Sequence, residues 1–148
     1  RIGIIATNTT VNSNAYARAI HSKNNDTLVR TQAAPLLVPL VEEGWLDHEV
    51  TRLTVCEYLK PLLADGIDTL VLGCTHYPLL TGIIQLAMGD NVSLVTSSEE
   101  TTKDVMRILT ETDMLAPADN QPVRTFESTG DPEAFARLAT RFLGPQIA

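Results

Sequence analysis

The sequence has few cysteines, few basic residues and no long apolar run. Two cysteines among 148 residues are too few for a disulfide framework, and they fit free thiols in a reducing cytoplasm. The longest apolar run, residues 33–41, contains two prolines, whereas a bilayer span needs roughly 20 apolar residues. These shortages exclude a disulfide-stapled scaffold and a transmembrane helix, so no membrane partner is predicted.

Positive charge is also scarce. The chain has 11 Lys and Arg against 18 Asp and Glu, a net charge of -7, and its basic residues do not cluster. It therefore lacks the electrostatic footprint of a nucleic-acid or membrane-surface binder. A small anionic substrate stays compatible, because a few backbone amides and hydroxyls can build a local anion site.

The start of the sequence is unusual. It begins with Arg1 rather than Met, and residues 2–5 already have the composition of a strand. No signal-peptide region precedes them. Because chains rarely begin inside a core strand, we expect the sequence to be a fragment of a longer protein.

Strands and helices are predicted to alternate. Apolar runs predict strands at residues 1–6, 27–33, 68–74, 92–96 and 123–127. Helices are predicted from Ser13, from the segment ending at Gly44, at residues 48–64, after Pro78, from Ser97, and from Pro132 with Asp131 as its cap. This alternation is typical of an α/β fold with a mainly parallel sheet flanked by helices.

The helix at residues 48–64 carries three further predictions. Pro61 should kink or restart it, because proline removes one backbone hydrogen bond. Gly66 should end it. Its core-facing stripe is predicted to be Leu53, Cys56, Leu59 and Leu63, which makes Cys56 a packing residue.

Three polar segments each follow a predicted strand. They are the hydroxyl-rich turn at residues 7–10, the segment at residues 33–42, and residues 74–77. Ligands bind beyond the carboxyl ends of parallel strands. We therefore expect these three segments to share one edge of the sheet.

The segment Gly-Cys-Thr-His-Tyr-Pro at residues 73–78 places a thiol, a hydroxyl and an imidazole together. A nearby imidazole favours the reactive thiolate. Two interpretations stay open: Cys74 and His76 form a reactive pair, or Cys74 is a small core residue and His76 a satisfied surface histidine.

Further candidates carry the same double interpretation. Glu42 and Glu43 either form a solvated helix end or supply a carboxylate that orients His76. Thr7 and Thr10, with Thr9, either bind a carboxylate or phosphate or form a plain turn. Two cysteines and three histidines do not cluster in the sequence, so no metal site is predicted.

The run Leu-Gly-Cys-Thr-His-Tyr-Pro-Leu-Leu at residues 72–80 resembles the glutamate racemases, which belong to the cofactor-independent Asp/Glu racemase family. Four more stretches agree with that family in order along the chain, with Ala6 where glycine is usual. They lie at residues 3–16, 34–44, 97–99 and 128–144. The resemblance covers essentially the whole chain.

The resemblance implies a two-base mechanism that interconverts L- and D-glutamate without a cofactor, supplying D-glutamate for peptidoglycan in the cytoplasm. Cys74 matches one of two catalytic cysteines. His76 is implied to tune the thiol, assist proton transfer and bind substrate, with Glu42 supporting it. Thr75 is implied to bind substrate, as are Thr7 and Thr10.

The family's first cysteine motif and two of its substrate loops have no counterpart here, and Cys56 does not match them. The chain thus resembles the C-terminal portion of a two-domain racemase and is expected to be inactive alone. Residues 1–96 would form one domain, and residues 97–148 would pack on the absent N-terminal domain. Without it, the apolar surface of this last segment should re-pack on another copy, giving a homo-oligomer, or be mobile.

Other functions remain open at this point. A cysteine hydrolase or transferase would use Cys74 and His76 through a covalent acyl-thioester. A related aspartate or hydantoin racemase would use the same fold. A silent binding or oligomerisation module would use neither side chain for chemistry.

Overall fold

Strands and helices alternate along the chain. A computed structural model describes residues 1–147 and shows the strands β1 (Ile2–Ala6), β2 (Val29–Ala33), β3 (Thr69–Gly73) and β4 (Ser93–Thr96). The helices are α1 (Asn8–Ser13), α2 (Ala15–Lys23), α3 (Leu37–Glu42), α4 (Glu49–Ala64), α5 (Thr81–Met88), α6 (Ser97–Glu111) and α7 (Pro132–Leu143). Two 3-10 turns span Tyr77–Leu80 and Gly144–Ile147.

The four strands form one parallel sheet in the order β2-β1-β3-β4. The central strand β1 is almost wholly apolar and buried over its last four residues, as expected for a strand covered on both faces. The register pairs Ala6 with both Ala33 and Gly73. The predicted α/β architecture with a parallel sheet is confirmed.

The main core lies between one face of the sheet and helices α3, α4 and α5. Ile5, Leu70 and Leu72 contribute the sheet side, and Leu59 and Ile84 are among the helical side chains that meet them. Each of these five side chains is at most 1% exposed.

Helices α1 and α2 lie on the opposite face. Tyr16 of α2 comes so close to β3 that a Cβ atom at Gly73 would stand 3.1 Å from its ring. Glycine therefore allows α2 to pack directly on the strand that leads into residue 74.

The chain forms two compact units, Arg1–Asp104 and a second from Val105 onward. The second unit contains α7, whose first turn is capped by Asp131 as predicted. The Asp131 side chain accepts a hydrogen bond of 3.0 Å from the Glu133 N–H. The division predicted at residues 96 and 97 stays a prediction. Within residues 1–147, no helix is both long enough and apolar enough to cross a membrane.

The predicted turn at residues 7–10 is wrong, because this segment is the start of α1. Thr7 caps the helix by accepting a hydrogen bond from the Thr10 N–H at 3.4 Å. The predicted start of the next helix is shifted by one residue, since Asn14 adopts a left-handed conformation (φ 54°) between α1 and α2. Capping by the first threonine outweighs the low helix propensity of the polar residues that follow.

The structure corrects two expectations about α4. The helix does not restart at Pro61, because it is one helix from Glu49 to Ala64; a kink at Pro61 stays a prediction. The buried stripe also differs, because Leu53 and Leu63 are 55% and 42% exposed. Leu59 belongs to the stripe as predicted, and its other members are Thr51, Val55 and Leu62.

Two more corrections concern Cys56 and the last strand. Cys56 is half-buried rather than a core residue. Residues 123–127 have no strand conformation in the structure, and Val123 is 90% exposed. A strand needs a neighbour to accept its hydrogen bonds, and the four-stranded sheet does not include this segment.

Candidate active site

The site begins where β3 leaves the sheet. An alternately buried apolar strand ends at Gly73, and the half-buried Cys74 follows it directly. The N–H of Tyr77 donates to the carbonyl of Cys74 at 3.3 Å and closes the turn between them. This turn presents Thr75 and His76 next to the thiol.

His76 stands between the thiol and a carboxylate. Its Nδ1 lies 4.0 Å from Cys74 Sγ and 3.3 Å from Thr75 Oγ1, while its Nε2 lies 3.1 Å from Glu42 Oε1. A carboxylate accepts hydrogen bonds only, so Nε2 is the donor and Nδ1 faces the thiol and hydroxyl. The side chains of His76 and Glu42 are 23% and 45% exposed. The imidazole is thus oriented for proton exchange with Cys74.

Helix α3 carries Glu42 to this position. Leu37 and Val41 are buried and anchor the helix on the core, which leaves Glu42 at its exposed end. The structure brings Glu42 into direct contact with His76, although 34 residues separate them in the chain; the supporting role of Glu42 stays a prediction.

Thr7 and Thr10 lie at the same sheet edge but form their own pair. Their hydroxyl oxygens are 3.1 Å apart at the start of α1. Because Ala6 pairs with both Ala33 and Gly73, the segments after β1, β2 and β3 leave the sheet at the same end. The predicted common edge is confirmed. The chain also reverses its winding between β1 and β3, which is where open α/β sheets form a ligand crevice.

Cys56 lies away from this edge, on α4. It lines a small cavity of about 110 Å³ with Arg52, Ile83, Leu86 and Ala87. Both cysteines are free, so the structure separates the two thiols by environment. Among residues 1–147, no three His, Cys, Asp or Glu side chains are grouped to hold a metal ion.

Sequence reasoning missed Tyr77 as part of the site. Its side chain is completely buried, and its hydroxyl donates to the Ala34 carbonyl at 2.9 Å. Burial, with smaller effects of Cys74 and Tyr58, raises the pKa of Tyr77 above its ordinary value. The tyrosine lies within the motif that drew attention to Cys74, but only the folded structure shows its partner.

The parallel sheet thus carries a thiol, an imidazole and a carboxylate together at its carboxyl edge. The family model of Asp/Glu/hydantoin racemase matches residues 1–105. The chain belongs to the Asp/Glu/hydantoin racemase family.

Curated relatives agree with this assignment. The chain is 65% identical to a glutamate racemase of Neisseria meningitidis, over 97% of this chain and 53% of the relative. It is 54% identical to a glutamate racemase of Corynebacterium diphtheriae, over 99% of this chain and 55% of the relative. The chain therefore spans about half the length of the curated relatives it matches.

Solved structures match the fold closely. A glutamate racemase isoform of Bacillus anthracis superposes with a TM-score of 0.92 at 39% identity, covering 99% of this chain and 55% of that one. The Francisella tularensis glutamate racemase, solved in complex with D-glutamate, gives 0.88 at 35% identity, covering 96% and 53%.

Proposed function

We propose that this chain supplies one half of the active site of a glutamate racemase, with Cys74 as the acid or base on one face of the substrate. The observation that carries the proposal is the alignment of Cys74, His76 and Glu42 in one hydrogen-bonded line at the sheet edge. The 65% identity to relatives named glutamate racemase supports this choice of substrate.

In this reaction the Cys74 thiolate removes the α-proton of glutamate, and the C–H electron pair remains on the substrate as a carbanion. His76 exchanges the proton with the thiol through Nδ1, while Glu42 holds the imidazole in one orientation through Nε2. A second thiol then protonates the carbanion from the opposite face.

One thiol reaches only one face of a carbon atom, so the second acid must come from elsewhere. Cys56 lies on α4 and packs beside Ile83 and Leu86, so it does not serve. We place the second cysteine in a part of the full-length protein beyond these 148 residues. The chain alone is accordingly proposed to be inactive.

Substrate binding falls to neutral donors in this proposal. The net charge of -7 repels a dicarboxylate at long range, so local groups must offset it. Thr75 beside the imidazole, and Thr7 with Thr10 across the crevice, are proposed to hold the glutamate carboxylates. D-Glutamate made in the cytoplasm in this way would supply peptidoglycan synthesis.

The second unit is proposed to complete a surface rather than the chemistry. Val105, Ile108 and Phe142 are 50%, 48% and 37% exposed, and apolar patches of this kind are usually covered by a partner. The proposed cover is the other half of the full-length protein, or a second copy when that half is missing.

The test uses full-length protein in deuterium oxide. Wild type should racemise L-glutamate and incorporate deuterium at the α-carbon, followed by circular dichroism and NMR. Cys74→Ser should lower racemisation at least about a hundredfold, because a hydroxyl is a far weaker acid than a thiol. Cys56→Ser is the matched control and should stay within about twofold.

Two results would overturn the proposal. The first is full racemisation by Cys74→Ser. The second is a wild type that leaves the α-hydrogen unexchanged while mass spectrometry finds an acyl group on Cys74. The second result would assign a hydrolase or transferase instead. A panel with aspartate and hydantoins tests the substrate, and glutamate should turn over fastest.

A further inference from the structure

We propose that Tyr77 is a positioning residue for the contact between His76 and Glu42. Its buried hydroxyl joins the turn that carries His76 to the turn that leads to Glu42. The inference concerns the geometry of this pair, and its catalytic consequence rests on the proposed racemase function.

The Tyr77 hydroxyl binds Ala34, a residue that is also hydrogen-bonded to strand β1. Ala34 is completely buried; its N–H donates to the Ala6 carbonyl of β1 at 2.9 Å, and its carbonyl accepts from Tyr77 at 2.9 Å. The end of β2 is therefore held by the central strand and by Tyr77 together.

The Tyr77–Ala34 hydrogen bond joins two segments that each carry a residue of the site. On one side, Tyr77 follows His76 in the chain, and its N–H closes the turn on the Cys74 carbonyl. On the other side, Ala34 lies just before α3, whose buried Leu37 and Val41 pass any movement on to Glu42 at the helix end. A displacement at the Tyr77–Ala34 contact should therefore change the separation of His76 Nε2 and Glu42 Oε1.

The contributions of the Tyr77 hydroxyl and of its aromatic ring can be distinguished. The aromatic ring belongs to the same buried core as Leu80 and Ile84, and phenylalanine would fill the same space. Burial raises the pKa of the phenol, so Tyr77 remains a neutral donor at working pH. The distinctive contribution of the hydroxyl is the bond to Ala34.

A second phenol, from another element, contacts the same turn and provides a matched control. The Tyr58 hydroxyl, from α4, accepts a hydrogen bond from the Leu36 N–H at 3.4 Å. Tyr58 is half-buried and distant in sequence from His76. Removing its hydroxyl should loosen the same turn slightly without acting on the His76 side.

The first experiment compares Tyr77→Phe and Tyr58→Phe in the full-length protein. Tyr77→Phe should lower kcat about tenfold and change KM for glutamate less than about twofold, because the pair acts on proton transfer rather than on binding. Tyr58→Phe should leave both within about twofold. An unchanged kcat in Tyr77→Phe would overturn the proposal.

A double-mutant cycle separates positioning from general stability. If Tyr77 acts through the His76–Glu42 contact, then adding Tyr77→Phe to Glu42→Ala, which removes the acceptor, should lower kcat by less than about twofold further. A loss as large as in the wild-type background would show an independent structural role and overturn the proposal. If Tyr77→Phe does not fold, a second variant, Tyr77→4-aminophenylalanine, keeps the ring and a hydrogen-bond donor. This variant should fold and retain kcat. Loss of kcat in the folded variant would overturn the proposal.

A spectroscopic readout keeps this test independent of racemase activity. The His76 Nε2–H proton, assigned by its absence in His76→Gln, should give a resolved downfield signal that shifts and broadens in Tyr77→Phe but not in Tyr58→Phe. If wild type racemises no glutamate, the proposed function is wrong. The NMR signal of His76 still tests whether Tyr77 positions the His76–Glu42 contact. A signal unchanged by Tyr77→Phe would overturn the inference.

Discussion

The two compact units differ in how they use apolar residues. In Arg1–Asp104, apolar side chains from the sheet and helices bury one another; Leu70 and Ile84 are fully buried. In the described part of the second unit, Ala139 is the one buried hydrophobic residue, whereas Met114 and Val123 are 68% and 90% exposed. The described part of the second unit therefore has a capped helix, α7, but almost no buried apolar side chains.

This difference shows that local and tertiary signals can be satisfied separately. Asp131 and Pro132 are enough to start α7 at the predicted residue, because a cap acts within one turn. Isolated short helices are nevertheless marginal in water, since most helical stability comes from packing an apolar face. The first unit has both signals, and the second has mainly the local one.

Hydrogen exchange should give the largest contrast. Amide protons of β1 and β3 lie in the centre of the sheet and should exchange at least about a thousandfold more slowly than those of residues 123–127, which lack strand pairing. The measurement is exchange followed by NMR or by mass spectrometry of peptides. Similar protection in the two segments would show that the second unit is stabilised as strongly as the first.

The next contrast lies within one helix. Leu59→Ala should lower the free energy of unfolding by about 2–5 kcal/mol, because Leu59 is 1% exposed and the substitution leaves a cavity. Leu53→Ala, at a position 55% exposed, should cost less than about 0.5 kcal/mol. Denaturant titration of both variants measures the difference, and equal losses would mean that the stripe on α4 is misplaced.

Two glycines should respond in opposite directions. Gly73→Ala should destabilise the chain by about 1–3 kcal/mol, because the new Cβ would stand 3.1 Å from the Tyr16 ring and 3.2 Å from the Ile5 carbonyl. Gly82→Ala should stabilise it by about 0.5–1 kcal/mol, because a Cβ there meets open space on α5. Thermal unfolding would detect both signs, and a stable Gly73→Ala variant would contradict the close approach of α2.

Helix caps should give the smallest and most diagnostic contrast. Asp131→Ala removes a cap worth about 1 kcal/mol, which should speed amide exchange in α7 about fivefold. His48 caps α4 in a similar way, accepting from the Val50 N–H at 3.1 Å, but α4 is held by the core. His48→Ala should therefore leave exchange in the middle of α4 unchanged. Faster amide exchange in both helices would contradict the view that α4 is stabilised by the core and α7 mainly by its cap.

Much of the fold was predictable because its signals are local or repeated. The buried run of β3 and the glycine that follows α4 each have one reasonable interpretation, and Gly66 indeed adopts φ 64°. The common edge of the polar segments follows from parallel pairing alone. The Cys74–His76 pair is visible because its two residues are neighbours in sequence.

The sequence-based predictions are wrong where tertiary contacts determine the local structure. Helix α4 has apolar residues at so many positions that several stripes fit, and only its contact with the sheet selects Val55 and Leu62 over Leu53 and Leu63. Residues 123–127 have strand composition but no neighbouring strand. The Tyr77–Ala34 hydrogen bond joins two separate turns, and no local sequence pattern predicts such a contact.

The position of β1 in the sheet has a consequence for synthesis of the protein. Ile2 pairs with Val29 on one side and with Thr69 on the other, so the central strand emerges from the ribosome before either neighbour. Until residue 73 has been translated, the edge of β1 that pairs with β3 lacks that strand, and Ile4 and Ile5 lie in an incomplete core. Parallel pairing across such distances is slow and leaves apolar strands open to aggregation. Helix α3 and Glu42 are likewise translated before His76, so the contact between Glu42 and His76 can form only after the crossover from β2 to β3 has closed.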